Sequence, residues 1–115
     1  MSRGRWHVLR EGPVLTLTRA LPPRFDVVAE TRMPMARRGR LAGQIRQDLW
    51  RALRHQRGFS PVVEITGRAG ALAVRAGGRV SVRPFDRAGL EARISELLAD
   101  RACRARWLRC AGRGA

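Results

Sequence analysis

The 115-residue sequence contains no lysine, asparagine or tyrosine, and it sets only nine acids against 24 arginines. A chain so short of negative charge, at a formal net charge of +15, repels itself and favours a negatively charged partner. Absent lysine beside abundant arginine, alanine and glycine is what a GC-rich coding sequence produces. That bias accounts for the choice of arginine over lysine, but it does not account for the shortage of acids.

Other absences remove whole classes of function. Cys103 and Cys110 stand seven apart in a predicted helix, about 10 Å between α-carbons, too far for a disulfide. Two reduced thiols fit a cytoplasmic setting. His7 and His55 are too few and too scattered to complete a metal site with them, so neither a metal nor another cofactor is expected. No apolar run approaches the length of a membrane span, and no hydrophobic signal core lies near the start. The opening residues are arginine-rich and acid-poor, as transit peptides are. Val14-Leu-Thr-Leu-Thr18 nevertheless alternates like a strand, and Gly12-Pro13 and Pro22-Pro23 interrupt any amphipathic helix, so this segment reads as part of the fold.

The length suits one domain over residues 1–115, with residues 111–115 fraying at the basic C-terminus. Strands are predicted over residues 14–18 and 24–30, followed by a loop at 31–36. Leu41, Ala42, Ile45, Leu49, Ala52 and Leu53 recur at helical spacing and predict a helix over residues 37–57, stopped by Gly58. Three strands in a meander are then predicted over residues 62–66, 71–76 and 79–83, with Gly77-Gly78 as the last hairpin turn. Asp86 is placed to cap a helix that Phe85 and Leu90 staple, and that carries Leu90, Ile94, Leu97 and Leu98. Arg101 breaks that stripe, so residues 102–110 read as a separate helix anchored by Trp107 and Leu108. The expected class is α+β, a mostly antiparallel sheet of about five strands with helices packed on one face.

Charge is concentrated in two segments. Residues 37–57 hold seven arginines against Asp48, and residues 101–115 hold five arginines and no acid. On the helical wheel Arg40, Gln44, Gln47, Arg51 and Arg54 lie opposite the apolar stripe, with Trp50 at its boundary. Arginine offers planar, multidentate donors for phosphate oxygens, glutamine can donate and accept at base edges, and an indole can stack. Arg101, Arg104, Arg106 and Arg109, with Trp107 among them, would extend the surface if the last helix lies beside the first. Arg75, Arg79 and Arg83 read as ordinary solvent-facing sheet residues.

Residues 41–48, Leu-Ala-Gly-Gln-Ile-Arg-Gln-Asp, resemble the LAGLIDADG signature of homing endonucleases in Leu41, Ala42, Gly43, Ile45 and Asp48. The resemblance implies an acid at a helix end beside a metal. Arg46 occupies the place of the signature's first aspartate, and the helical pattern runs two turns past Asp48, so no catalytic role is carried over. No nucleophile with an adjacent base and no carboxylate pair is apparent.

The expected function is therefore that of a non-enzymatic basic module contacting nucleic acid or a ribonucleoprotein surface. The alternative is a protein-interaction or assembly subunit that meets an acidic protein partner through Trp6, Trp50 and Trp107. Burial of those tryptophans separates the two.

Overall fold

A computed structural model describes residues 5–112. The chain runs β1 (His7–Glu11), β2 (Val14–Thr18), β3 (Val27–Pro34), α1 (Arg38–Leu53), β4 (Phe59–Arg68), β5 (Ala71–Val80), α2 (Arg87–Ala99) and α3 (Arg101–Ala111). The strands form one antiparallel sheet in the order β1-β2-β4-β5-β3, and the helices pack on one face of it. This is the α+β arrangement that the periodicities predict. The distribution of strands differs, with three before α1 and two after it.

Two local causes explain the difference. β1 is an edge strand exposed on both faces, with Val8 and Leu9 both open to solvent, so it lacks the alternation that marks a half-buried strand. Its turn is Gly12-Pro13, where Glu11 pairs with Val14 and Gly12 takes a φ of 60°. The expected Gly77-Gly78 hairpin does not form. Both glycines lie inside β5, Gly77 opposite Val28 and Val62, and Gly78 opposite Val27 and Pro61. The tight turn falls earlier, at Ala69 and Gly70, whose φ values of 48° and 79° suit a two-residue hairpin. Residues 71–80 are thus one strand, and Val82 and Arg83 lie exposed beyond it.

Leu15 and Leu17 of β2, Val27, Ala29 and Met33 of β3, Val63 and Ile65 of β4, and Leu72, Val74 and Ala76 of β5 form the sheet's half of the core. Leu41, Ala42, Ile45, Leu49 and Leu53 of α1 close over them, as the stripe requires. Helix α1 ends at Leu53 rather than at residue 57. Arg93 of α2 donates to the Ala52 carbonyl at 2.8 Å, and Gly58, at a φ of 74°, belongs to the turn entering β4.

Asp86 caps α2 by accepting from the Gly89 amide at 3.0 Å, and Asp100 caps α3 by accepting from the Cys103 amide at 2.8 Å. The latter bond holds the Asp100 carboxyl below its ordinary pKa. Leu90, Ile94 and Leu98 of α2 are buried, and α2 lies along β3, where Glu91 accepts from the Val28 amide at 3.0 Å. One exposed edge of the sheet is thereby covered. The residues expected to fray divide: Ala111 belongs to α3 and is fully buried, whereas residues 113–115 lie outside the described residues.

Because β4 and β5 separate β2 from β3, the segment at residues 19–26 must cross the sheet on the side away from the helices. Phe25 lies under the Arg75 guanidinium, 4.8 Å from ring centre to carbon, and Arg75 also pairs with Glu64 at 3.3 Å. At the far end Asp26 accepts from the Val80 amide at 2.8 Å. Arg75 is thus held in the second face of the sheet rather than left as a free surface charge.

Candidate nucleic-acid interface

Helix α3 runs back along α1, so that at its end the Gly112 carbonyl accepts from the Arg37 amide at 3.3 Å. What fixes the two helices together is Asp48. Its carboxylate is buried on α1, accepting from Trp107 Nε1 at 2.7 Å and Arg106 at 2.9 Å, with Arg51 at 3.3 Å. Trp107 itself has no exposed surface. An acid on the apolar side of a helix is costly unless its oxygens are matched, and here an indole N–H and two guanidiniums match them. The same bond to Asp48 raises the Arg106 pKa.

Asp48 also pairs with Arg51 at i,i+3 on its own helix, but that pair is the minor part of an interhelix contact. The LAG…D pattern is accounted for in the same way. Leu41, Ala42 and Ile45 are core, and Asp48 is a mid-helix strut facing α3. Its position was a usable signal, since residue 48 falls on the helical stripe defined by Leu41, Ile45, Leu49 and Ala52.

The remaining arginines sort by what they touch. On α1, Arg40, Gln47, Trp50 and Arg51 are exposed and Gln44 is half-buried, and Arg54 is exposed at the C-cap, so the six lie on the solvent side of the helix. On α3, Arg101 and Arg109 are exposed. Arg104 and Arg106 turn inward. Arg104 donates to Thr31 Oγ1 at 3.0 Å and to the carbonyls of Leu98 at 2.8 Å and Arg32 at 2.6 Å, tying the α2–α3 corner to β3. Arg106, besides Asp48, reaches Cys103 Sγ at 3.5 Å. The thiol of Cys103 is pushed up in pKa by burial and by Asp100. Both cysteines are free.

At its start α1 adds further positive potential. Arg37 stands at the N-cap without a side-chain acceptor, no acid lies in the first turn, and Arg38 donates to the Pro13 carbonyl at 2.6 Å. From Arg37 to Arg54 the helix carries one acid, Asp48, and that acid is buried. Helix α3 carries none. Among the described residues no three His, Cys, Asp or Glu side chains converge as metal ligands, and no helix is long and apolar enough to cross a membrane.

One cluster has no local signature in the sequence. Trp6, half-buried just before β1, is flanked by the Arg46 guanidinium at 4.6 Å and the Arg19 guanidinium at 5.4 Å from its ring. Trp50, one helical turn beyond Arg46, stands at the rim, 42% exposed. The 46-to-50 spacing was visible, but the residue joining them, Trp6, precedes a strand whose pattern is silent.

Searches of protein-family models, curated proteins and solved structures found no match to this chain.

Proposed function

We propose that this protein is a small basic module that binds nucleic acid, free or on a ribonucleoprotein, through the outward face of α1 and the adjoining arginines of α3. The observation that supports this reading is the separation of charge roles: Asp48 is withdrawn into the α1–α3 contact, leaving Arg40, Arg51, Arg54, Arg101 and Arg109 on the surface. Arg104 and Arg106, held by internal acceptors, set the position of α3 rather than contact the ligand. Binding is mainly electrostatic, through phosphates, with Gln44, Gln47 and Trp50 beside them for base contacts. The module performs no catalysis of its own, and its free thiols suit the cytoplasm.

Changing Arg40, Arg51 and Arg54 together to glutamine should leave the fold intact, because all three side chains are exposed and Asp48, which loses Arg51, keeps Trp107 and Arg106. Affinity for random-sequence duplex and single strands should fall by about tenfold or more at low salt. The slope of log affinity against log salt should become shallower by up to about 3, one for each phosphate no longer neutralised. Unchanged affinity in a mobility-shift titration would sink the proposal.

The second reading, an acidic protein partner on the same face, draws support from exposed Trp50, although Trp107, being buried, cannot serve it as an anchor. Capture of partners with and without nuclease separates the two, because a nucleic-acid-bound module loses them on digestion.

A further inference from the structure

Where α1 passes the ends of β1, β2 and β4, the surface opens into a cleft of about 280 Å³ walled by Trp6, Arg19, Arg46, Trp50 and Pro61. None of the five is acidic. Arg46 is half-buried over the Trp6 ring, and its partner among the described residues is that ring rather than a carboxylate or carbonyl. Burial, and then the nearby charge of Arg19, lower its pKa. Two guanidiniums brought to one indole repel each other, and an anion arriving between them relieves that repulsion. The exposed indole of Trp50 at the rim offers what two cations alone do not, a flat apolar surface beside the anion position.

We propose that this cleft receives one unstacked nucleobase with its phosphate, the base against Trp50 and the phosphate between Arg19 and Arg46, so that single-stranded nucleic acid is the preferred ligand. The proposal rests on the polyanion reading of α1 and specifies its substrate. The cleft is of the size of one base rather than a helical groove, close to the lower limit of ordinary ligand sites. In a duplex the faces of the bases are covered by their neighbours, and only a single strand or an unpaired loop presents them to an aromatic side chain. Trp50 lies on α1 beside Arg51 and Arg54, so a strand seated in the cleft continues directly onto the arginine face.

The test uses the full chain titrated with an oligothymidylate of about twelve nucleotides, a length within the site size of small single-strand binders, and with a mixed duplex of equal length. Intrinsic tryptophan emission and oligonucleotide anisotropy are read together. Because Trp107 is buried, quenching reports on Trp6 and Trp50. The single strand should quench the emission, and Arg46→Gln and Trp50→Leu should each weaken single-strand binding by about tenfold, as expected for loss of one stacked base. For Arg46→Gln, which is not part of the exposed arginine face, duplex affinity should change by less than about twofold, and Trp50→Leu should weaken single-strand binding clearly more than duplex binding.

Trp50→Leu alters an exposed side chain, so it keeps the test valid if Arg46→Gln disturbs the packing of Trp6. If both variants bind both ligands as the wild type does, or weaken both equally, the cleft proposal is overturned while the α1 reading stands. If the wild type binds neither ligand, both are overturned.

Discussion

Gly77→Ala should lower the unfolding free energy by about 3 kcal/mol or more, the upper end for forcing an extra methyl into a packed site. A Cβ at this position would collide with the Val27 carbonyl and the Val28 backbone of the neighbouring strand, and neither can move without separating β3 from β5. Gly78 is equally confined, against the Ser60 carbonyl of β4. These glycines sit where three strand backbones crowd together, beside the site at which Asp26 accepts from the Val80 amide. Natural domains hold a margin of about 5–15 kcal/mol, so a urea titration should show a large fall in midpoint or loss of the cooperative transition. Gly43→Ala is the contrast. Its Cβ would meet nothing within 4 Å, and in the interior of α1 it should be neutral or stabilising by up to about 1 kcal/mol. Equal midpoints for the two variants would refute the crowding argument.

Asp48→Ala should cost about 2–3 kcal/mol. Removing the carboxylate leaves the buried Trp107 N–H without an acceptor, a loss of about 1–3 kcal/mol by itself. The contribution of the arginines is smaller, because Arg106 and Arg51 both reach solvent and are screened there. Asp48→Asn, which retains an oxygen acceptor, should cost roughly half as much. The coupling can be isolated with a cycle adding Trp107→Phe, in which the two changes together should cost clearly less than their sum. Strict additivity would mean that Asp48 does not hold α3 through the indole. Near-ultraviolet circular dichroism gives an independent check, since a loosened α3 loses the fixed environment of Trp107.

Both variants probe features that the residue pattern alone described differently, and the reasons are physical. Helix α1 was predictable in its buried face because Leu41, Ile45, Leu49 and Leu53 repeat at helical spacing and that face has one place to go, onto the sheet. Asp86 was readable because caps depend on a few adjacent residues, and the break before α3 because Arg101 interrupts the apolar stripe, whereas the capping role of Asp100 follows only from the structure. Gly77-Gly78 misled because adjacent glycines satisfy two needs equally, a turn with positive φ or the close approach of neighbouring backbones, and tertiary packing decides between them. Strand β1 left no pattern because its side chains are exposed on both faces. In the candidate interface, exposure of Arg40, Arg51 and Arg54 followed from the helical wheel, whereas the inward turn of Arg104 and Arg106 did not. Their acceptors, the carbonyls of Arg32 and Leu98 and the carboxylate of Asp48, come from three other elements.

The placement of the β4–β5 hairpin between β2 and β3 has a consequence for how the chain assembles. Residues 5–34 contain three strands, of which only β1 and β2 can find each other locally, since among the described residues β3 pairs with β5 alone. Until residues 71–78 have been made, β3 lacks its strand partner and the segment at 19–26 has no complete sheet to cross. Closing contacts over such separations is slow relative to forming either hairpin. On the ribosome, then, the arginine-rich helix emerges before the surface that buries its apolar side exists. Leu41, Ile45 and Leu49 are exposed beside a run of positive charge for as long as the last two strands take to arrive.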